Sequence, residues 1–137
     1  RGDDLNVLDY KTMARAAALR IRFDRLDPAE RRTWPEAVES VQLPFYRLVY
    51  GSTQSVPAAD IKALFLMLGQ SRLGPKIEFS PFADGDRSAD AAQLEAVTAV
   101  IDGLLLEISD PAAPFDPGLV RRGACERCAY AAICGRL

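Results

Sequence analysis

The chain has 137 residues, 49% of them apolar and 26% charged, with a net charge of −2. This is enough chain for one buried core and an ordinary globular composition, without the strong positive charge that announces a nucleic-acid binder. No apolar run is long enough to span a bilayer and no signal peptide is visible, so no membrane partner is expected; the lack of any His excludes a Ser-His-Asp triad, His acid–base catalysis and His metal ligands.

The chain opens on Arg-Gly-Asp-Asp without Met, which reads as the C-terminal part of an excised, N-terminally truncated domain. Leu5 to Lys11 alternates as a strand does, with Leu5, Val7, Asp9 and Lys11 on one face and Leu8 and Tyr10 on the other. Residues 12–18 read as helix or loop. Asp27-Pro28-Ala29-Glu30 has the form of a helix start, with Asp as N-cap and Pro in the first turn. Across residues 35–50, Val38, Val41, Phe45, Leu48 and Val49 recur at helical spacing, although Pro44 calls for a kink or a break just before it. Residues 51–57 read as a turn, 61–68 as a buried strand, and 76–82 as a further strand across a turn at 71–75. Residues 88–108 form the strongest helix pattern, with Leu94, Val97, Ile101, Leu104, Leu105 and Ile108 in one apolar stripe. Residues 110–117, with three Pro, read as an extended linker to a Cys-bearing tail. The expected organisation is a single domain over 1–137, with a core at 1–116 and a tail at 117–137. Its fold class is α/β or α+β, a mixed sheet flanked by helices.

Charge is unevenly spread. Residues 1–34 carry eight Lys/Arg against six Asp/Glu, residues 84–116 carry Arg87 against eight acids, and from Pro117 onward four Arg face Glu126. Either an acidic helix is simply solvated between ordinary surfaces, or the basic ends meet phosphate while that helix faces away.

Two constellations carry chemistry. Asp9 and Lys11 lie two apart on a strand, so a carboxylate and an ammonium project together from a rigid edge. The carboxylate can hold Mg²⁺, and the Lys can orient a water or stabilise charge on a phosphate. The second is Cys125-x2-Cys128-x5-Cys134. Three thiolates at this spacing can face one soft metal centre. Zinc would take a carboxylate, water or outside residue as fourth ligand, an iron–sulfur cluster would take a fourth Cys, and the alternative is three buried thiols around Tyr130 and Ile133. The clustering fits a reducing cytoplasm better than a disulfide scaffold.

Val7-Leu8-Asp9-Tyr10-Lys11-Thr12 is similar to the "IDYKTG" strand of PD-(D/E)XK nucleases of the RecB type. Gln42-Leu43-Pro44-Phe45-Tyr46 resembles the Q-x-x-x-Y motif of that family, for which "QLPLY" is a common form. The terminal cysteines resemble the last three cluster ligands of its iron–sulfur branch, which includes AddB-type repair subunits and CRISPR-associated nucleases. The three motifs fall in the family's order across residues 7–134. Met13 departs from the usual Gly, and the family's upstream metal-binding Asp and first cluster Cys have no counterpart here, since Asp3 and Asp4 lie too close to Asp9.

The resemblance implies a restriction-endonuclease-like core and hydrolysis of DNA phosphodiesters with Mg²⁺ or Mn²⁺. By position, Asp9 would be a metal ligand, the backbone carbonyl of Tyr10 a further one, and Lys11 the catalytic Lys. Gln42 would serve catalysis and substrate binding, and Tyr46 substrate binding. Read without the resemblance, Gln42 is an exposed helix polar and Tyr46 a core aromatic. Cys125, Cys128 and Cys134 would hold a 4Fe-4S cluster completed by a fourth ligand outside this chain. A helicase subunit or domain of the AddA type would be a partner besides DNA, in the cytoplasm, in the repair and recombination of double-strand breaks. The alternatives are a catalytically inactive DNA- or partner-binding module and a zinc-binding interaction domain. The first strand is expected beside the helix holding Gln42, in one sheet with the 61–68 strand; the tail is expected to gather its cysteines and to rest on Tyr130, Ile133 and Phe115.

Overall fold

The structure, a computed structural model, describes residues 5–13, 15–69, 74, 77–83, 85–114, 116 and 123–134. Strands β1 (Leu5–Lys11) and β2 (Ile61–Met67) run parallel, in register from Leu5 opposite Ile61 to Lys11 opposite Met67. The short β3 (Glu78–Phe79) pairs antiparallel with β2, so the order is β1-β2-β3 and the sheet is mixed. Side chains alternate along a strand, which sets Val7, Asp9 and Lys11 on the same face as Ala63, Phe65 and Met67. That face is covered, since Ile61, Ala63, Phe65 and Met67 are buried. On the opposite face Leu8 and Tyr10 are exposed.

Two parallel neighbours cannot be joined by a tight turn and need a long crossover. Residues 12–60 supply it. They contain short 3-10 turns, helix α1 (Trp34–Ala37), an isolated antiparallel bridge between Ile21 and Val38, and helix α2 (Gln42–Gln54). Helix α2 packs on β1 and β2, and helix α3 (Arg87–Ser109) packs on α2. The main core joins Leu19, Ile21, Leu43, Phe65, Met67, Phe82, Leu94 and Val97. This mixed sheet flanked by helices is the α/β arrangement expected, consistent with a restriction-endonuclease-like fold. Among the described residues no helix is long and apolar enough to cross a membrane.

Several elements differ from the sequence reading. Asp27 starts no helix: its carboxylate accepts from the Ala29 N–H (2.9 Å) in a tight turn, and Thr33 Oγ1 donates to the carbonyls of Asp27 and Glu30. Residues 16–19 form one 3-10 turn. The run at 35–50 is two helices separated by 38–41, where the Arg22 N–H bonds the Ala37 carbonyl and the Glu39 N–H the Arg20 carbonyl. Of the kink or break that Pro44 called for, the structure has the break, at 38–41 just before α2; Pro44 itself sits in the first turn, where the N–H it lacks would have no intrahelical partner. Helix α2 continues through Gly51 and ends on Ser55 in a left-handed conformation (φ 56°), so the turn expected at 51–57 is half helix. The strand expected at 76–82 is reduced to Glu78–Phe79; most of the turn expected at 71–75 lies outside the described residues. Of the α3 stripe, Leu94, Val97 and Ile101 are buried, with Val100 buried beside them, while Leu105 and Ile108 are exposed. Asp86 caps that helix by accepting from the Ala89 N–H at 3.0 Å.

Helix α3 meets α1 where Trp34 lies against Gly103. A Cβ built on Gly103 would fall 2.4 Å from Trp34 Cη2, closer than packed atoms tolerate. Gly103→Ala is therefore expected to destabilise the fold by about 1–2 kcal/mol, the overpacking cost exceeding the helix-propensity gain of about 1 kcal/mol. A urea melt with unchanged or increased stability would show that Trp34 yields freely.

Candidate active site

The end of β1 faces the start of α2. Asp9 and Lys11 project toward that helix, and Gln42, its first residue, reaches between them. Lys11 Nζ contacts Asp9 Oδ1 at 2.8 Å and donates to Gln42 Oε1 at 2.7 Å. Gln42 Nε2 donates to Asp9 Oδ2 at 2.8 Å and to Tyr46 Oη at 2.7 Å. The amide orientation follows from its partners: an ammonium can only donate and a carboxylate only accept, so the oxygen must face Lys11 and the nitrogen Asp9. Tyr46 is one turn after Gln42 and so shares its face. The side chains of Lys11 and Asp9 are 20% and 14% exposed, so the pair is sheltered yet reachable. Phe65 forms an apolar floor, with Lys11 Nζ 5.1 Å from its ring centroid.

The structure thus brings together Asp9, Lys11, Gln42 and Tyr46, all four side chains singled out in this region. Tyr10 contributes differently. Its ring is exposed on the other face, and its carbonyl direction follows from the sheet. The Leu68 N–H bonds the Lys11 carbonyl at 2.7 Å, which points the Lys11 carbonyl at β2. Successive strand carbonyls point to opposite edges, so that of Tyr10 points outward, where no described strand pairs with β1. A carboxylate beside an outward carbonyl is hard-oxygen chemistry suited to Mg²⁺ or Mn²⁺. Each Asp9 oxygen accepts one of these contacts and keeps a lone pair, and Lys11 has three N–H bonds for the two contacts described. Asp9 and Tyr10 therefore fit as part of a divalent-cation site.

The cysteines do not form a comparable site. Cys125 lies at a 3-10 turn (Ala124–Arg127), Cys128 follows it, and the Cys134 N–H bonds the Tyr130 carbonyl at 3.2 Å. Among the described residues no group of three or more Cys, Asp or Glu could hold a metal, so the three thiols are not gathered as expected. A 4Fe-4S cluster, which takes four thiolates, does not fit this arrangement. Tyr130 and Ile133 are exposed, the latter 84%, and so do not hold the tail on the body; Phe115 lies outside the described residues.

A sequence model of the PD-(D/E)XK nuclease superfamily matches residues 1–135. No curated protein and no solved structure matches the chain.

The sequence reading passed over Arg47, which is 1% exposed. Its guanidinium grips Asp90 of α3 through two bonds, Nη1 to Oδ1 at 2.9 Å and Nη2 to Oδ2 at 2.6 Å. Nε donates to the Ala58 carbonyl at 3.1 Å, and Phe82 lies under the guanidinium at 4.5 Å. One side chain thus fixes α2 to α3 and to the entry of β2. The cue in the sequence is the spacing, since Arg47 lies four residues after Leu43 and four before Gly51, the face that the structure buries. Arg47→Met would leave Asp90 half-sheltered without its partner, and is expected to cost about 3 kcal/mol, at the low end for a broken buried pair because Asp90 is partly exposed. Double-mutant denaturation with Asp90→Asn checks this: the two losses are expected to overlap strongly, and simple additivity would show that the pair is not coupled.

Proposed function

The chain belongs to the PD-(D/E)XK nuclease superfamily, and on that premise we propose that Asp9, Lys11 and Gln42 are the catalytic unit of a metal-dependent deoxyribonuclease. Members of the superfamily are generally nucleases, and DNA is the substrate that membership implies. The observation that carries the proposal is the Gln42 amide bridging Asp9 and Lys11, which binds the two motifs into one network.

When bound, Mg²⁺ or Mn²⁺ supplies Lewis-acid polarisation of the scissile phosphate and acidifies a water at neutral pH. Asp9 and the Tyr10 carbonyl would hold that ion. Lys11, anchored by Asp9 and Gln42, presents its remaining N–H to the attacking water or to a phosphate oxygen, where a fixed positive charge stabilises the transition state. Gln42 keeps Lys11 and Asp9 in a set geometry. Tyr46, whose oxygen accepts from Gln42, retains its own O–H proton for a phosphate oxygen. The positive end of α2 adds to this attraction for phosphate.

We place this unit in an AddB-like helicase–nuclease of double-strand-break repair, working in the cytoplasm with an AddA-like partner. The support is the order of Asp9-Tyr10-Lys11, Gln42 to Tyr46 and the spaced cysteines. A 4Fe-4S cluster would require a rearranged tail and a fourth thiolate. Asp9 is the only carboxylate of the described network, and among the described residues no strand pairs with the outer edge of β1, where one could bring another.

The 137-residue chain alone is therefore expected to cleave DNA no faster than its Asp9→Ala variant. Within the longer helicase–nuclease, Asp9→Ala and Lys11→Ala are each expected to lower Mn²⁺-dependent cleavage by about 10³-fold or more, with DNA binding changed by less than about twofold. Metal-dependent cleavage by the isolated chain that disappears in Asp9→Ala would contradict the need for a second carboxylate. Retained cleavage in the longer variants would remove Asp9 and Lys11 from catalysis.

A further inference from the structure

Helices α2 and α3 leave an open apolar groove of about 330 Å³ between them, sharing no lining residue with the Asp9 network. Phe45 and Val49 line it from α2, and Ile101, Asp102 and Leu105 from α3. Phe45, Val49 and Leu105 are exposed, Leu105 by 52%, and Leu106 and Ile108 extend the exposed apolar surface along the last turns of α3. Exposed apolar side chains in one contiguous patch mark a contact surface, and a groove between two packed helices has the shape that receives a third.

The charge around this groove selects the occupant. Between Arg87 and Arg121 the sequence contains no Lys or Arg. Glu95 and Asp102, seven residues apart, both exposed, lie along one side of α3, and Asp102 is itself part of the groove lining. The last turn of α3 carries no basic residue and ends on Asp110; Arg31 pairs with Glu107 there, which leaves Glu95 and Asp102 as the acids available along the groove. Such a surface repels a phosphate backbone or an anionic bilayer. It also disfavours a second copy of this chain: a two-fold contact places the same patch on itself, so the acids of one copy would face those of the other. Apolar contacts rimmed by acids instead match a helix with apolar residues on one face and Lys or Arg beside them.

We infer that the α2–α3 groove is a docking site for a basic amphipathic helix of another protein. The apolar face of that helix would cover Phe45, Val49 and Leu105, and its Lys or Arg side chains would reach Asp102 and Glu95. This surface is independent of the nuclease reading.

The test uses the full chain and two synthetic peptides about five turns long, with identical Leu positions at helical spacing and polar faces of Lys or of Glu. Anisotropy titration is expected to show that the Lys peptide binds at least about tenfold more tightly than the Glu peptide, and more weakly as salt rises. Leu105→Ser and the double variant Glu95→Lys/Asp102→Lys are each expected to weaken the Lys peptide about tenfold. All three side chains are exposed, so unchanged thermal melts check that the variants remain folded. Equal binding of the two peptides, or binding indifferent to these substitutions, would overturn the inference. So would a wild-type dimer lost in Leu105→Ser, which would assign the groove to a second copy. Tighter peptide binding in Tyr130→Ser/Ile133→Ser would assign it to the chain's own tail and overturn the inference equally.

Discussion

The side-chain amide of Gln42 ties the end of β1 to the start of α2, and the candidate site depends on it. An amide has one carbonyl and one NH₂, and both ends are used: the oxygen receives Lys11, and the nitrogen serves Asp9 and Tyr46. The network closes on itself, since Lys11 and Asp9 also contact each other. In a sheltered location an unmade hydrogen bond costs more than a made one contributes. Removing the amide would therefore loosen two charged groups together. It would also free Lys11 and Asp9 to pair more fully with each other, the arrangement least useful for binding a cation or a phosphate.

Such a bridge holds only if α2 starts at a fixed place, and the rest of the fold provides for that. The parallel pairing of β1 with β2 sets where the β1 carbonyls point, and hence which of them faces the open edge. Arg47 fixes α2 from behind through Asp90, Ala58 and Phe82. The break at 38–41, pinned by backbone bonds to residues 20–22, lets the chain change direction just before Gln42. Gly69 holds the other end of the site: a Cβ there would come within 2.0 Å of the Thr12 carbonyl oxygen, so the turn after β2 packs directly on the backbone that follows Lys11.

Much of this was legible in the residues. Approximate alternation, slipping only at Val7-Leu8, pointed to β1 and the shared face of Asp9 and Lys11, and the long apolar periodicity pointed to α3. The four-residue spacing alone places Gln42 and Tyr46 on one face. What failed did so for tertiary reasons. Val38 and Val41 fit a helical period, but the pairing of residue 38 with Ile21 overrides it. Leu105 and Ile108 continue the α3 stripe past the end of the surface it packs on, which is why they are exposed. Arg47 was missed because a charged residue in an amphipathic helix is normally read as solvent-facing. The cysteine spacing suggested convergence, but spacing within a tail does not fix sulfur positions without the ligand that would draw them together.

We propose Asp9, held by Gln42 and Lys11, as the place where a divalent cation would bind this chain. Titration of Mn²⁺ into the isotope-labelled protein, followed by paramagnetic broadening of its resonances, tests that directly. Residues 9–12 and the Gln42 side-chain amide are expected to broaden first, and Asp9→Asn to abolish the effect while the fold persists. Broadening confined to the acidic face of α3 or to the cysteine tail, or broadening around residue 9 that survives Asp9→Asn, would contradict it.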